Sequence, residues 1–239
     1  TSAAERWPYR EGNIDTTFTM TLSAVATGSR TVTASSSFFD DGHIGSPMYF
    51  GNTTTGTTGW GTITAVTSPT VATVLIQKAA DAAYAGGHWE WHESAWSDYR
   101  GWPRTVAFHE RRVYYFGNEA QPGEFWASQT DDLFEMTLEE LDISSASPPT
   151  ALNTNAYQFT LSGSNNPQAQ WLIGGKTLRA GTATEEHILE GVDSDDIMGR
   201  LNPTRGSLVT TTGSSFVKPV TSQSAAFFVQ RSGTRIREL

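Results

Sequence analysis

Apolar and β-branched residues along the first third of the chain come in short runs separated by Gly, Ser, Asp and Pro. Between about Gly12 and Trp91 these runs predict strands at Thr17–Val25, Arg30–Ser35, Ser46–Phe50, Gly61–Val66, Thr70–Ile76 and His88–His92. The clearest pair is TITAVTSPTVATVLI, where two β-branched runs flank Ser68-Pro69, a dipeptide that ends one strand and starts the next. Apolar positions alternate there (Ile63, Ala65; Val71, Thr73, Leu75), as a sheet with one wet face requires. Five or six strands in so short a stretch predict a small barrel or sandwich.

From Ser94 onward the pattern changes to a repeated unit of apolar strand, Gly-bearing turn and apolar strand. Val113–Gly117 is followed by Phe125–Ser128, Lys176–Gly181 by His187–Gly191, and Ala226–Arg231 by Arg235–Leu239. Trp171-Leu-Ile173 enters its copy through Gly174-Gly175, a tight-turn pair. Copies of one hairpin at intervals of roughly 50 to 60 residues predict propeller blades or a related repeated sheet. Two stretches break the rhythm. Thr130–Ala151 contains DDLFEMTLEELD, which predicts one or two helical turns capped by Thr130 or Asp131, followed by a Ser/Pro loop. Asp193–Arg205 is acidic and Pro-broken and reads as an exposed connector.

The composition agrees with β structure. Thr, Ser and Gly abound, and Lys occurs only at positions 78, 176 and 218. With no cysteine, neither disulfides nor thiolate chemistry is available. No apolar run approaches the about 20 residues that span a bilayer, so no membrane span is expected. A formal net charge of −9 disfavours a DNA-gripping surface, yet suits a wall past which DNA slides. The opening at Thr1 without Met, and the close at Leu239 directly after a strand-like run, predict a piece of a longer protein.

Few residues suggest chemistry. His88, Glu90 and His92 in HWEWHE alternate on one strand face and form a zinc-capable ligand set. The favoured reading is a wet face opposite buried Trp89 and Trp91, with no metal expected. Asp40-Asp41-Gly42 and Asp193–Asp196 lack calcium-loop spacing and read as solvated turns. Asp98, Glu110 and Glu124 near Trp96, Trp102 and Trp126 raise glycoside chemistry, which needs two carboxyls across a sugar; core packing of the Trp is the expectation. Arg100 and Arg104 flank Gly-Trp-Pro, so a guanidinium can stack on Trp102 or pair with Asp98. A structural clamp at the domain junction, built from Trp96, Asp98, Arg100, Trp102, Pro103, Arg104 and Trp126, is therefore expected. His109 reads as a local hydrogen-bonding residue. No hydrolase, zincin, Walker or dinucleotide motif occurs, so neither catalytic residues nor a cofactor are expected.

One long string carries a resemblance: Trp96-Ser-Asp-Tyr-Arg-Gly-Trp-Pro-Arg104, Phe108-His109, Arg112–Gly117, Pro122, Phe125–Ser128 and Asp132-Leu133-Phe134. With Ile173–Leu178, Gly181-Thr182, Pro203-Thr204, Pro219-Val220 and Phe228–Arg231, it resembles the nozzle, or tail tubular protein B, of short-tailed bacteriophages and its prophage relatives. The stretch from Gly12 to about Glu93 (Val32–Ser35, Phe38-Phe39, His43–Gly45, Gly59–Val66) is similar to a small β-barrel inserted in such tail proteins. That insert resembles the first-catalytic-half domain of ubiquitin-activating enzymes in fold only.

The resemblance implies an all-β chain: the end of a preceding blade at 1–11, a barrel insert at 12–93 and an incomplete propeller-like region at 94–239. It implies a non-catalytic virion component, made in the host cytoplasm, that forms a ring of copies (hexameric in the full-length protein). The ring would contact neighbouring tail proteins and pass DNA without sequence preference. The alternative is a carbohydrate-binding or glycan-processing β protein at the tail tip.

Overall fold

The computed structural model describes residues 6–138, 152–161, 167–194, 196–222 and 225–239. Among them the chain is all-β, with seventeen strands and only short 3₁₀ turns such as Asp41–His43 and Ala82–Ala85. It divides into two compact units, one of Thr1–Gly101 with Thr137–Thr150 and one of Trp102–Met136 with Ala151–Leu239. The sequence sets its boundary after Glu93, whereas the compact units part after Gly101. Trp7–Arg10 lies within the first unit, where Tyr9 bridges Ser94 and the Arg10 N–H donates to the Glu93 carbonyl at 3.0 Å.

The first unit is one curled sheet. Its strands are β1 (Met20–Leu22), β2 (Gly28–Ala34), β3 (Pro47–Asn52), β4 (Thr57–Ser68), β5 (Val71–Lys78) and β6 (Trp91–Glu93), in the order β1-β2-β5-β4-β3-β6. The sheet bends into a half-barrel, and its two edges are joined at one pair. Met20 of β1 exchanges hydrogen bonds of 2.8 and 3.0 Å with His88, just ahead of β6. The concave side holds Met20, Leu22, Val32, Phe50, Ile63, Val74, Ile76, Tyr84 and Trp91. Each such side chain contributes roughly 1.5–3 kcal/mol by leaving water.

The β4–β5 hairpin turns at Pro69-Thr70, where the Pro69 carbonyl accepts from the amides of Phe38 and Phe39 at 2.7 and 2.9 Å. Its phase differs from the sequence expectation. Ala72, Val74 and Ile76 point inward, while Val71, Thr73 and Leu75 face out. A bulge between Ile63 and Ala65 also turns Ala65 to solvent. Alternation of small and β-branched residues looks alike on both faces of β5, so composition could not set its phase.

The second unit contains three antiparallel meanders. The first comprises β7 (Thr105–His109), β8 (Arg112–Phe116), β9 (Glu124–Ala127) and β10 (Tyr157–Thr160). The second comprises β11 (Ala169–Ile173), β12 (Leu178–Thr182), β13 (Glu186–Gly191) and β14 (Thr204–Thr210). A third, three-stranded, comprises β15 (Val220–Ser222), β16 (Ala225–Val229) and β17 (Ile236–Glu238). The repeated apolar–turn–apolar units of the sequence coincide with β8–β9, β12–β13 and β16–β17.

These sheets pack face to face. Tyr114, Phe116, Phe125 and Tyr157 of the first meet Leu172, Leu178, Ala180 and Leu189 of the second. Trp171 and Ile173 on the second's other face meet Ala226 and Phe228 of the third. The middle sheet is thus covered on both sides, which is why every residue of β11 is buried. The first strands of consecutive meanders, β7 and β11, run side by side. Gly174 at the end of β11 lies so near β7 that an added Cβ would stand 1.8 Å from the Phe108 carbonyl oxygen.

The helix expected after Thr130 is not formed over Asp131–Leu138, where the chain makes turns. Asp131 has φ +65°, a left-handed conformation incompatible with the extended backbone of a helix N-cap. The rest of that expected helix lies outside the described residues. Of the expected connector Asp193–Arg205, the last two residues belong to β14.

Candidate functional site

A dense charged cluster among the described residues lies in the first unit around Glu93, the last residue of β6. Strand alternation that buries Trp91 also turns Glu93 inward, leaving it 8% exposed. The Arg100 guanidinium grips its carboxylate through two parallel bonds, Nε to Oε2 at 3.0 Å and Nη2 to Oε1 at 2.7 Å. Arg10 Nε stands 3.4 Å from Oε1, and His43 Nε2 stands 3.6 Å from Oε2. Burial alone would push Glu93 up. The neighbouring His43 and Arg100 groups, with the charge of Arg10, outweigh it and hold the carboxyl below its ordinary range.

His43 is positioned by its own turn. The Asp40 carboxylate caps that turn by accepting from the Gly42 amide at 2.9 Å. The Asp40 amide donates to His43 Nδ1 at 3.0 Å, so in the neutral ring the proton sits on Nε2, facing Glu93. The ring packs on Phe38 and Tyr99, with centroids 5.0 and 4.2 Å away, and the Arg100 guanidinium lies 4.7 Å from the Tyr99 ring centre. Gly42 permits this closeness. Its carbonyl accepts from the Tyr99 amide at 3.0 Å, and a Cβ there would come within 2.7 Å of that nitrogen.

Of the expected junction residues, Trp96 is buried edge-on to Trp7 at 5.7 Å, and Ser94 Oγ accepts from the Trp7 indole and from the Trp96 amide. Arg100 pairs with Glu93. Asp98 is exposed. In the second unit Trp102 is 52% exposed, Pro103 is half-buried, and Trp126 is buried within β9. Arg104 donates from Nε to the Ala169 carbonyl at 2.8 Å and lies 4.8 Å over the Phe216 ring. Each arginine therefore anchors its own unit, Arg100 on a carboxylate seven residues back and Arg104 on groups remote in sequence.

The zinc-capable trio does not converge. The Trp91 amide donates to the Trp89 carbonyl at 2.9 Å, a tight turn centred on Glu90 that breaks the alternation. His88 Nε2 and Glu90 form a 2.9 Å pair, and Glu90 also accepts from the Thr53 amide at 2.8 Å. His92 instead donates from Nδ1 to the Arg10 carbonyl at 3.1 Å. Among the described residues no three His, Asp or Glu side chains are placed to hold a metal ion.

Glycoside geometry fails for the pair within the second unit. Glu110, on the β7–β8 turn, accepts from the Met198 amide at 3.0 Å, and Glu124, the first residue of β9 and so beside the far end of β8, accepts from Thr160. Roughly 16 Å of strand separates them, beyond the span of a glycosidase pair. In the acidic connector, Asn202 Nδ2 donates to the carbonyls of Asp193 and Asp196 at 2.8 and 2.9 Å. His109 is held neutral more firmly than usual, because burial pulls its pKa down.

Sequence reading missed Glu93, and it missed Arg112. Arg112 is fully buried, donates to the carbonyls of Ser128 (2.5 Å), Asn155 (2.7 Å) and Asn153, and lies 5.3 Å from the Tyr157 ring centre. A charged residue opening an apolar strand was the only signal available.

Fold and site together define an all-β protein whose charged clusters, among the described residues, brace backbone and rings. Among the described residues no helix is long and apolar enough to cross a membrane. Compared with protein-family models and with curated proteins, the chain matches none.

Proposed function

We propose that this chain is a structural component of a bacteriophage or prophage tail, nozzle- or hub-like, that forms part of the DNA conduit by assembling with copies of itself. The observation that carries the reading is the succession of antiparallel meanders over β7–β17, stacked face to face with β7 and β11 side by side. Propeller blades have this organisation. The half-barrel of the first unit, its edges joined at Met20–His88, fits the inserted barrel of the same reading. The Trp96–Phe134 string adds the family resemblance. The protein works by shape and packing without turnover, in the virion after assembly in the host cytoplasm. A net charge of −9 favours passage of DNA over its capture. Neighbouring tail proteins complete the conduit.

Immunogold labelling of phage particles from the producing strain tests this. Gold at the tail is the expected result, and purified particles devoid of the chain would overturn it. A glycan-binding role is the second reading, favoured by the Trp102 ring of the second unit, which is 52% exposed. A glycan array separates the two, since only this reading expects a saturable hit lost on Trp102→Ala.

A further inference from the structure

His109 ends β7 in the second unit, where the first meander runs beside the second, and its side chain is 7% exposed. The turn that follows β11 lies against it. A Cβ on Gly174 would stand 1.8 Å from the Phe108 carbonyl oxygen and 3.3 Å from the His109 Cβ, so the two backbones touch with no side chain between them. The imidazole makes a hydrogen bond to the Gly175 backbone, and the centre of the Tyr114 ring on β8 lies 6.2 Å from its own. A neutral imidazole suits this enclosure. An imidazolium does not, because burial penalises the charged form.

The charges around the ring do not reverse that penalty. Glu110 Oε1 stands 3.8 Å from Nε2, beyond hydrogen-bond reach, and Glu110 Oε2 is held by the Met198 amide at 3.0 Å. Arg112 lies opposite His109 in register, a like charge to an imidazolium, with its guanidinium turned to the carbonyls of Ser128 and Asn155. Arg111 is exposed and paired with Asp131, and Lys176, next to Gly175, is exposed. In the connector that Glu110 touches, the Asp196 carboxylate accepts from the Ile197 amide and from Asn153. Burial thus outweighs the Glu110 charge and the Gly175 hydrogen bond, and the ring holds a proton less readily than a hydrated histidine does.

We propose that His109 makes the seam between β7 and β11 acid-sensitive: uptake of a proton by its ring lifts the Gly174-Gly175 turn off β7 and loosens the first meander from the second. Linkage gives the direction. A ring that binds its proton more weakly when covered than when hydrated shifts the population toward the uncovered state as pH falls. The shift begins near the ordinary histidine value of about 6.5 and grows until the covered ring also titrates. Gly174-Gly175 supplies the hinge, since two residues without a Cβ absorb a change in φ and ψ.

The test is amide hydrogen exchange of the full chain at about pH 7.5 and about pH 5.5, each rate divided by the intrinsic rate at that pH. In wild type, exchange over Thr105–His109 and Ala169–Gly175 should rise several-fold at the lower pH, with a ceiling of about tenfold one unit below the hydrated histidine value. His109→Asn and His109→Gln, which keep a polar donor that takes up no proton, should abolish the rise. Glu110→Gln, which removes the counter-charge, should enlarge it, whereas a merely structural His109 predicts no such gain. His187→Gln, at the other histidine of this unit, should leave it unchanged. Circular dichroism checks that each variant folds. A wild type equally protected at both pH values overturns the proposal. So does a rise that survives the His109 variants, one that disappears in His187→Gln, or one that shrinks in Glu110→Gln, and this last comparison decides alone if neither His109 variant folds.

Discussion

Glu93 and Arg100 form a bidentate pair, 3.0 and 2.7 Å, between the end of β6 and the turn that follows it. Geometry of this kind fixes two planar groups relative to each other, so the pair holds the Ser97–Gly101 turn against the half-barrel. Removing the carboxylate leaves Arg10 and Arg100 facing each other without their counter-charge. Glu93→Gln is expected to lower stability by about 1–3 kcal/mol, the lower part of the range for a broken buried pair because the Arg100 side chain is 25% exposed. Arg100→Lys, which cannot bind in two-pronged fashion, should cost about 1 kcal/mol. Urea unfolding followed by Trp fluorescence measures both.

The same carboxylate sets a pH dependence. Its pKa is lower folded than unfolded, so the unfolded chain binds the proton first as pH falls. The stabilisation is present above the unfolded value of about 4.3 and is lost as pH falls through the lower folded value. Glu90 acts in the same direction: burial would raise it, but Thr53 and His88 hold it below the ordinary range. Urea midpoints of wild type and Glu93→Gln should therefore differ most near neutrality and converge below about pH 4. A gap unchanged through that window would exclude the carboxylate as its source.

Arg112 should be among the most sensitive positions of the second unit. Burial draws its pKa down, and its guanidinium is spent on the Ser128, Asn153 and Asn155 carbonyls. Arg112→Met fills part of the space but strands those acceptors. A loss of about 3–5 kcal/mol is expected, read as a fall in thermal midpoint. Arg112→Lys should be intermediate, because one ammonium cannot reach three carbonyls in a plane.

The two-residue loop between β7 and β8 consists of Glu110 and Arg111 at φ +47° and +62°, the mirror-turn geometry that suits hairpin twist but strains ordinary side chains. Arg111→Gly should raise stability by about 0.5–1 kcal/mol, since the ion pair it gives up with Asp131 is exposed and contributes little. Chemical denaturation checks the sign. A destabilised variant would mean the Arg111–Asp131 pair outweighs backbone strain.

Contact between β7 and β11 leaves no room at Gly174, where a Cβ would stand 1.8 Å from the Phe108 carbonyl oxygen. Gly174→Ala should force the strands apart and cost about 1–3 kcal/mol, comparable to overpacking a core. Hydrogen exchange should report the loss along β7 and β11, with little change in the β1–β6 sheet.

Much of the strand inventory was legible because it rests on local chemistry. Pro69 stops one strand beside a β-branched run, and Gly117 and Gly174 end others, whatever the rest of the chain does. The phase of β5 was not legible. Val71, Thr73 and Leu75 suit a strand as well as Ala72, Val74 and Ile76 do, and packing in the half-barrel decides which row turns inward. The helix expected after Thr130 rested on a cap that the left-handed Asp131 cannot provide.

The sequence by itself determined an all-β chain with paired strands at the places where apolar runs flank Gly and Pro, because alternation and turn preference act over a few residues. Tertiary structure decided the site. His43, Glu93 and Arg10 are far apart in the chain, and Arg104 finds its anchors at Ala169 and Phe216. Whether a carboxylate becomes a buried hub or a wet surface group depends on which charges the folded sheets bring to it. That is a property of contacts between distant segments, and no short stretch of residues carries it.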